Sequence, residues 1–276
     1  MHKRIRAKAE PMRMRAVRII GLFVAALAGA AQLASGQTAS TQDEERDTRG
    51  SDSDPTRPVF LSIRPEYSAI GEAVSEFQLI FRYDAALLRA RRFSAILRLE
   101  LPVTGAHAGA QSAGGIGDVY GQILVPWFLT RRFAFAMGAG VVVPTADSPL
   151  LGGGKWTVAP VVAPVWRFPH GMFFVKLQQF TSTAGDASRP DLSSFLVTPT
   201  FIHTIARAWW VIADSETRTD WRLDGRTGIK TGFQVGRAMV PGVAVWIKPE
   251  LWWGPNRDGH WNLKFGLVWY ARRAQS

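Results

Sequence analysis

Trp209-Trp210-Val211-Ile212-Ala213-Asp214-Ser215-Glu216-Thr217-Arg218-Thr219-Asp220-Trp221-Arg222 carries its charges on every second residue. A period of two is the period of a strand. Extended, Asp214, Glu216, Arg218, Asp220 and Arg222 share one face, and Trp209, Val211, Ala213, Ser215, Thr217, Thr219 and Trp221 share the other. Wound as a helix, the same charges would scatter around the circumference. In a soluble sandwich the ionic face would meet water. Here the alternation recurs along nearly the whole chain behind an export signal, which points to a membrane barrel whose polar face looks into the lumen.

Working outward, twelve segments show the pattern, at 59–68, 74–87, 93–101, 119–130, 132–144, 155–167, 172–183, 192–204, 209–222, 226–238, 243–253 and 261–272. In the second, Phe77, Leu79, Phe81 and Tyr83 oppose Glu76, Gln78, Arg82 and Asp84; in the third, Leu97, Leu99 and Leu101 oppose Arg98 and Glu100. The inward candidates of 119–144 are small or neutral: Tyr120, Gln122, Ala134, Ala136, Gly138 and Gly140. Segment 155–167 is the weakest strand signal, because Pro160 and Pro164 cannot donate to a ladder. The fold class expected is therefore all-β, a single antiparallel transmembrane β-barrel of about twelve strands over residues 59–272, with a short tail at 273–276. Soluble-sandwich strands are usually shorter, near five to six residues.

What precedes the barrel is of two kinds. Residues 1–18 are basic, 19–31 form a short apolar run, and Ala34-Ser35-Gly36 offers small residues for cleavage, so 1–36 reads as a signal peptide. An anchoring helix with a basic flank is the alternative, although the run falls short of the ~20 apolar residues that span a bilayer. Residues 37–58 carry Asp43, Glu44, Glu45, Arg46, Asp47, Arg49, Asp52 and Asp54 with little that is apolar, and are expected to be a disordered polar arm. Removing seven leader bases and one acid from the net charge of +11 leaves +5, spread over alternating strands. No basic helix and no aromatic-basic motif accompanies it, so nucleic acid is not an expected partner. The chain has no Cys, which is compatible with export without disulfides.

The connections agree with a barrel. Links at 104–117, 145–154, 184–191 and 255–260 are long and Gly-rich or polar, whereas 90–92, 131, 169–171, 205–207 and 241–242 are tight. Membrane barrels show this contrast between outer loops and periplasmic turns. Trp127, Trp166, Trp209, Trp221, Trp253, Trp261 and Trp269 fall near strand ends, where interfacial girdles belong. The partners this implies are outer-membrane lipid and, during biogenesis, the barrel-assembly machinery, since the aromatic closing strand resembles an assembly signal. The location implied is the outer membrane of a bacterial cell.

The lumen-lining set then follows from phase: Arg64, Arg82, Arg98, Lys176, Arg218, Lys230, Lys248 and Lys264 against Glu66, Asp84, Glu100, Asp214, Glu216, Asp220 and Glu250, with Gln178 beside Lys176. The two signs nearly balance. Unpaired buried charges cost several kcal/mol, so balanced ones are expected to pair across strands. This favours a narrow or occluded barrel over a wide ion-selective pore, and the pairs alternatively serve only to fill and stiffen it. An enzyme is the competing class, a lipid-modifying hydrolase using Ser and His. His107, His170, His203 and His260 lie in links or beside turns and outside any Gly-x-Ser-x-Gly setting, so no catalytic residue is assigned. With no Cys and no His pair at i and i+4, neither metal nor cofactor is expected.

Several pieces together resemble the outer-membrane family labelled MetA-pathway of phenol degradation, a transporter family. They are Gly114-Gly115-Ile116-Gly117-Asp118-Val119, Val143-Pro144-Thr145, Gly152-Gly153-Gly154-Lys155-Trp156-Thr157-Val158-Ala159-Pro160, Thr198-Pro199-Thr200-Phe201, Asp220-Trp221 and Trp261-Asn262-Leu263-Lys264-Phe265. Their order and spacing carry the likeness, which also accounts for the prolines of 155–167. It implies a β-barrel that passes small, often aromatic or apolar, compounds across the outer membrane.

Overall fold

The strands close on themselves. A computed structural model of the protein describes residues 53–90, 92–206, 208–254 and 256–270; the signal segment, most of the polar arm and the tail lie outside the described residues. Thirteen strand segments follow in order: β1 Leu61–Gly71, β2 Val74–Arg89, β3 Ser94–Ala108, β4 Gln111–Ile116, β5 Val119–Phe128, β6 Phe133–Val143, β7 Lys155–Phe168, β8 Gly171–Gly185, β9 Ser193–Ala206, β10 Trp209–Asp220, β11 Arg226–Val240, β12 Val243–Trp253 and β13 Trp261–Trp269. Each pairs antiparallel with its sequence neighbour, and β1 pairs both β2 and β13, with Leu61 opposite Tyr83 and Trp269. Segments β4 and β5 share one partner: Val103–Ala108 of β3 pairs β4, and Ile96–Glu100 pairs β5. They make one interrupted stave, so the cylinder has twelve staves and closes through β1 and β13, with β4 paired on one flank only. No helix of the described residues is long and apolar enough to cross a membrane.

Two expectations need correcting, and one weak signal holds. The link expected at 104–117 is a hairpin, with β3 continuing upward to Ala108 and returning as β4. It reads as a loop because its residues are Gly, Ala and Ser, with no alternation to follow. The closing strand ends at Trp269, short of residue 272. Segment 155–167, the weakest in sequence, is a regular strand of 14 residues. Its prolines fit because each uses one side only: Pro160 pairs Ala139 and Pro164 pairs Phe135 on β6, while the ladder to β8 skips both positions. Pro65, Pro102, Pro126, Pro199 and Pro249 follow the same rule, each paired on one flank and passed over on the other. A missing N–H costs nothing on the paired flank and is spent on the other.

Both ends of the barrel chain lie at one end, here the lower, beside the short connections after β2, β5, β7, β9 and β11. The longer segments 144–154, 186–192, 221–225 and 254–260 crown the upper end. Outward positions are mostly apolar, among them Phe77, Ile123, Met137, Phe233, Ile247 and Phe265. Trp127, Trp166, Trp209 and Trp269 ring the lower end, and Trp156, Trp221, Trp253 and Trp261 the upper. An apolar band between two aromatic girdles is the exterior of an outer-membrane barrel.

Candidate functional site in the barrel lumen

Inside, the cylinder is layered. The lowest layer is an apolar floor of Ala134, Ala136, Ala163, Val165, Phe174, Ile202, Trp210, Ile212, Ala244, Trp246 and Val268, joined by Val59 from the segment before β1. Glycines make room for its two indoles. Trp210 stands opposite Gly236 and Trp246 opposite Gly266, and a Cβ at either glycine would overlap the ring. The last residues of the expected polar arm reach into this lower mouth. Asp54 and Thr56 are buried, Thr56 donates to the Asp54 carboxylate (backbone N 2.8 Å, Oγ1 2.6 Å), and Arg167 of β7 donates to Thr56 Oγ1. Arg167 also lies 4.9 Å from the Phe128 ring centroid. Aspartate and threonine are tolerated there because each polar atom meets a partner.

Above the floor the lumen is ionic. Asp84 accepts from Arg82 (3.0 and 2.6 Å) and from Arg98 (3.1 and 3.3 Å), and Val59 N donates to it as well (3.3 Å). Glu66 pairs with Arg64 and, at 3.5 Å, with Lys264; Arg64 also reaches Glu100 at 3.8 Å. Glu250 is the centre of the layer. Lys248 (3.0 Å), Lys264 (3.1 Å) and Lys230 (3.8 Å) converge on it, and Asn262 donates to it at 3.1 Å. Lys248 also holds Asp214 at 2.5 Å and Lys230 holds Glu216 at 3.4 Å, with Lys230 lying 5.0 Å from the Trp252 ring. Gln178 donates to Tyr120 at 3.0 Å, across from β8 to β5. Lys176 faces this layer and makes no ion pair within 4 Å among the described residues. Of the positions assigned to the lumen by phase, all but Lys176, Arg218 and Asp220 take part in these ion pairs and hydrogen bonds. Arg218 and Asp220 lie higher, at the rim, where Arg218 is 3.9 Å from Asp258 and Asp220 caps a 3-10 turn at Trp221–Leu223.

The upper mouth is roofed. At the break between β4 and β5, Asp118 accepts from Ala146 N (3.1 Å) and Gly153 N (2.7 Å), Asp147 accepts from Ile116 N (2.7 Å), and Thr145 bridges Val119 N and Gly117 O. Close approach explains the glycines: a Cβ at Gly115 would strike Asp147, and one at Gly152 would strike Asp118 and Ala146. Arg189 binds the carbonyls of Pro149 and Gly152 at 2.7 Å, and Lys155 pairs with Asp191 at 2.9 Å. Under this roof lies a cavity of about 230 Å³ lined by Gln78, Ile80, Glu100, Pro102, Asp118, Tyr120 and Leu151.

Sequence reasoning missed the floor and the roof pins. Trp210, Trp246 and Trp252 share the phase of the charges and not that of the girdle, which is the signal that could have placed them inside. The histidines do not gather. His107 and His260 lie toward the upper end, His170 is on a lower turn, and His203 faces outward, stacked on Phe201 at 6.1 Å. Among the described residues no group of His and acidic side chains has the arrangement of a metal site.

No protein-family model and no curated protein matches this chain. Solved structures do. An outer-membrane channel from Pseudomonas putida F1 superposes with a TM-score of 0.62 at 12% identity, over 80% of this chain and 99% of that one. The NanC porin gives 0.55 at 10% identity, over 76% and 100%. The translocator domain of the autotransporter NalP from Neisseria meningitidis gives 0.52 at 8% identity, over 79% and 90%. At these identities the likeness is one of fold, and the fold of this chain is that of an outer-membrane β-barrel.

Proposed function

We propose that this chain is a bacterial outer-membrane channel that admits small solutes through a narrow, gated lumen, and that it belongs with the MetA-pathway of phenol degradation transporters. The observation that carries the reading is where the quoted sequence pieces meet. The Gly114–Val119, Val143–Thr145 and Gly152–Lys155 stretches, separate in sequence, form one hydrogen-bonded roof over the 230 Å³ cavity. A barrel that merely stiffens a membrane has no use for a chamber under a pinned roof. The chamber is roomy enough for a single-ring compound and leads down to the ionic layer. The floor and residues 53–60 fill the lower mouth, so passage requires the segment to move and the floor beside it to loosen. Two of the solved structures that superpose on this chain are named as a channel and a porin, which supports the same reading.

Planar-bilayer recording tests it. The intact protein is expected to give small, intermittent steps, and deletion of residues 53–58 is expected to enlarge them. A large steady conductance from the intact protein would sink the gated reading, and silence from both forms would sink the channel. Uptake of aromatic compounds by a strain lacking the protein then tests the cargo.

A further inference from the structure

The two ends of the barrel differ in charge. At the lower end Arg92, Arg131, Arg132 and Arg237 are exposed, and no acidic residue is exposed among the described residues there: Asp54 and Asp84 are both buried and paired. The upper end mixes signs, with Glu72, Asp186, Asp191, Asp224 and Asp258 exposed beside Arg222, Arg226 and Arg257. The lower arginines are also set among exposed apolar side chains, Leu129 at 55%, Ile205 at 62% and Val240 at 56%. Leu129 lies in the connection after β5, and Ile205 and Val240 at the lower ends of β9 and β11. Arg237 joins the two features, its guanidinium 5.0 Å from the Trp209 ring and on the outward face of β11.

We infer that the lower rim is a docking surface for anionic phospholipid headgroups, with phosphatidylglycerol as the representative class. An acidic soluble protein would meet arginines but would leave the leucine, isoleucine and valine of the same rim in water. A lipid leaflet satisfies both, because acyl chains cover the apolar tips while headgroup phosphates meet the cations. Guanidinium suits phosphate through paired, planar N–H donors, and net negative headgroups add a long-range attraction that zwitterionic ones lack. The inference rests on membrane placement and not on transport, so it stands whether the lumen is open or closed.

Native mass spectrometry of the detergent-solubilised protein, titrated with phosphatidylglycerol and phosphatidylcholine of matched chains, tests it. The wild type is expected to hold phosphatidylglycerol at least about fivefold more tightly, the share of one arginine near an anionic surface. The triple change Arg131→Gln, Arg132→Gln and Arg237→Gln is expected to bring the ratio close to one. The upper-end pair Arg222→Gln and Arg226→Gln is expected to leave it unchanged. Equal retention of both lipids by the wild type overturns the inference, as does an equal loss in the upper-end variant.

Discussion

The lower lumen is packed like the core of a soluble protein, and the middle lumen, a few residues further along the same strands, is built from ions. Along β10, Trp210 and Ile212 belong to the floor while Asp214 and Glu216, the next two inward positions, belong to the ionic layer. On β12 the switch falls between Trp246 and Lys248. The difference teaches how the barrel can be both stable and closed. The floor gains from apolar burial and ring packing, whereas the ionic layer gains little net energy and instead ties β10, β11, β12, β13 and β1 together through one carboxylate and its lysines. Removing material from the floor should therefore cost most. Unbalancing the ionic layer should come next, and loosening what is attached at either mouth should cost least.

Trp246→Ala is the largest break. Losing an indole from a packed layer costs about 3–5 kcal/mol where neighbours cannot collapse, and Gly266 holds only backbone there. Denaturant unfolding in detergent micelles measures it. A loss below about 1 kcal/mol would mean the floor is not a core. Glu250→Gln acts on the contrasting layer, leaving three lysines around a neutral amide. Breaking a buried network from one side costs about 3 kcal/mol. The companion change Lys230→Met in the same background should recover part of that loss, and its failure to do so would argue that the charges are independently solvated.

Arg167→Ala releases Thr56 from β7 and should cost about 1 kcal/mol, the scale of one hydrogen bond. Its sharper readout is faster proteolytic clipping near residue 56 in the folded protein. At the opposite mouth the expected effect is smaller still and depends on pH. Hydrogen bonding from Lys155 holds the Asp191 carboxyl below its ordinary 3.8, and Ser188 does the same for Asp186. A lowered folded value means the anchoring is complete above the ordinary range and is lost as pH falls through the lowered one. A nitroxide at Ala187 should keep its mobility from neutral pH down to 3.8 and gain mobility only below that. Loosening at mildly acidic pH would contradict the pairing.

Much of the architecture was readable from period two alone, but unevenly. In β10, β11 and β12 charges mark the inner face, so phase and therefore sidedness are explicit in the letters. In β6 and β7 both faces are apolar, with Ala134, Ala136, Ala163 and Val165 inside and Phe133, Met137 and Val162 outside. Alternation vanishes there because a floor and a lipid layer ask for the same chemistry. The interrupted stave was hidden for another reason. Its upper half is held by Asp118 and Asp147 accepting backbone N–H groups from residues about thirty positions away, and contacts of that range leave no periodic trace. The glycine-rich pieces singled out in sequence nevertheless include Gly115 and Gly152, where the packing of the roof leaves no room for a Cβ.

The central claim is one of sidedness, and the absence of native cysteine makes it directly measurable by single-cysteine spin labelling along β11 in lipid bilayers. Labels at Ile229, Thr231, Phe233 and Val235 are expected to collide with dissolved oxygen and not with an aqueous nickel chelate, as residues facing acyl chains do. Labels at Lys230, Gly232 and Gln234 are expected to be shielded from oxygen in the lipid. The inverted phase, or nickel accessibility at Phe233 in the middle of the strand, would contradict the barrel as described.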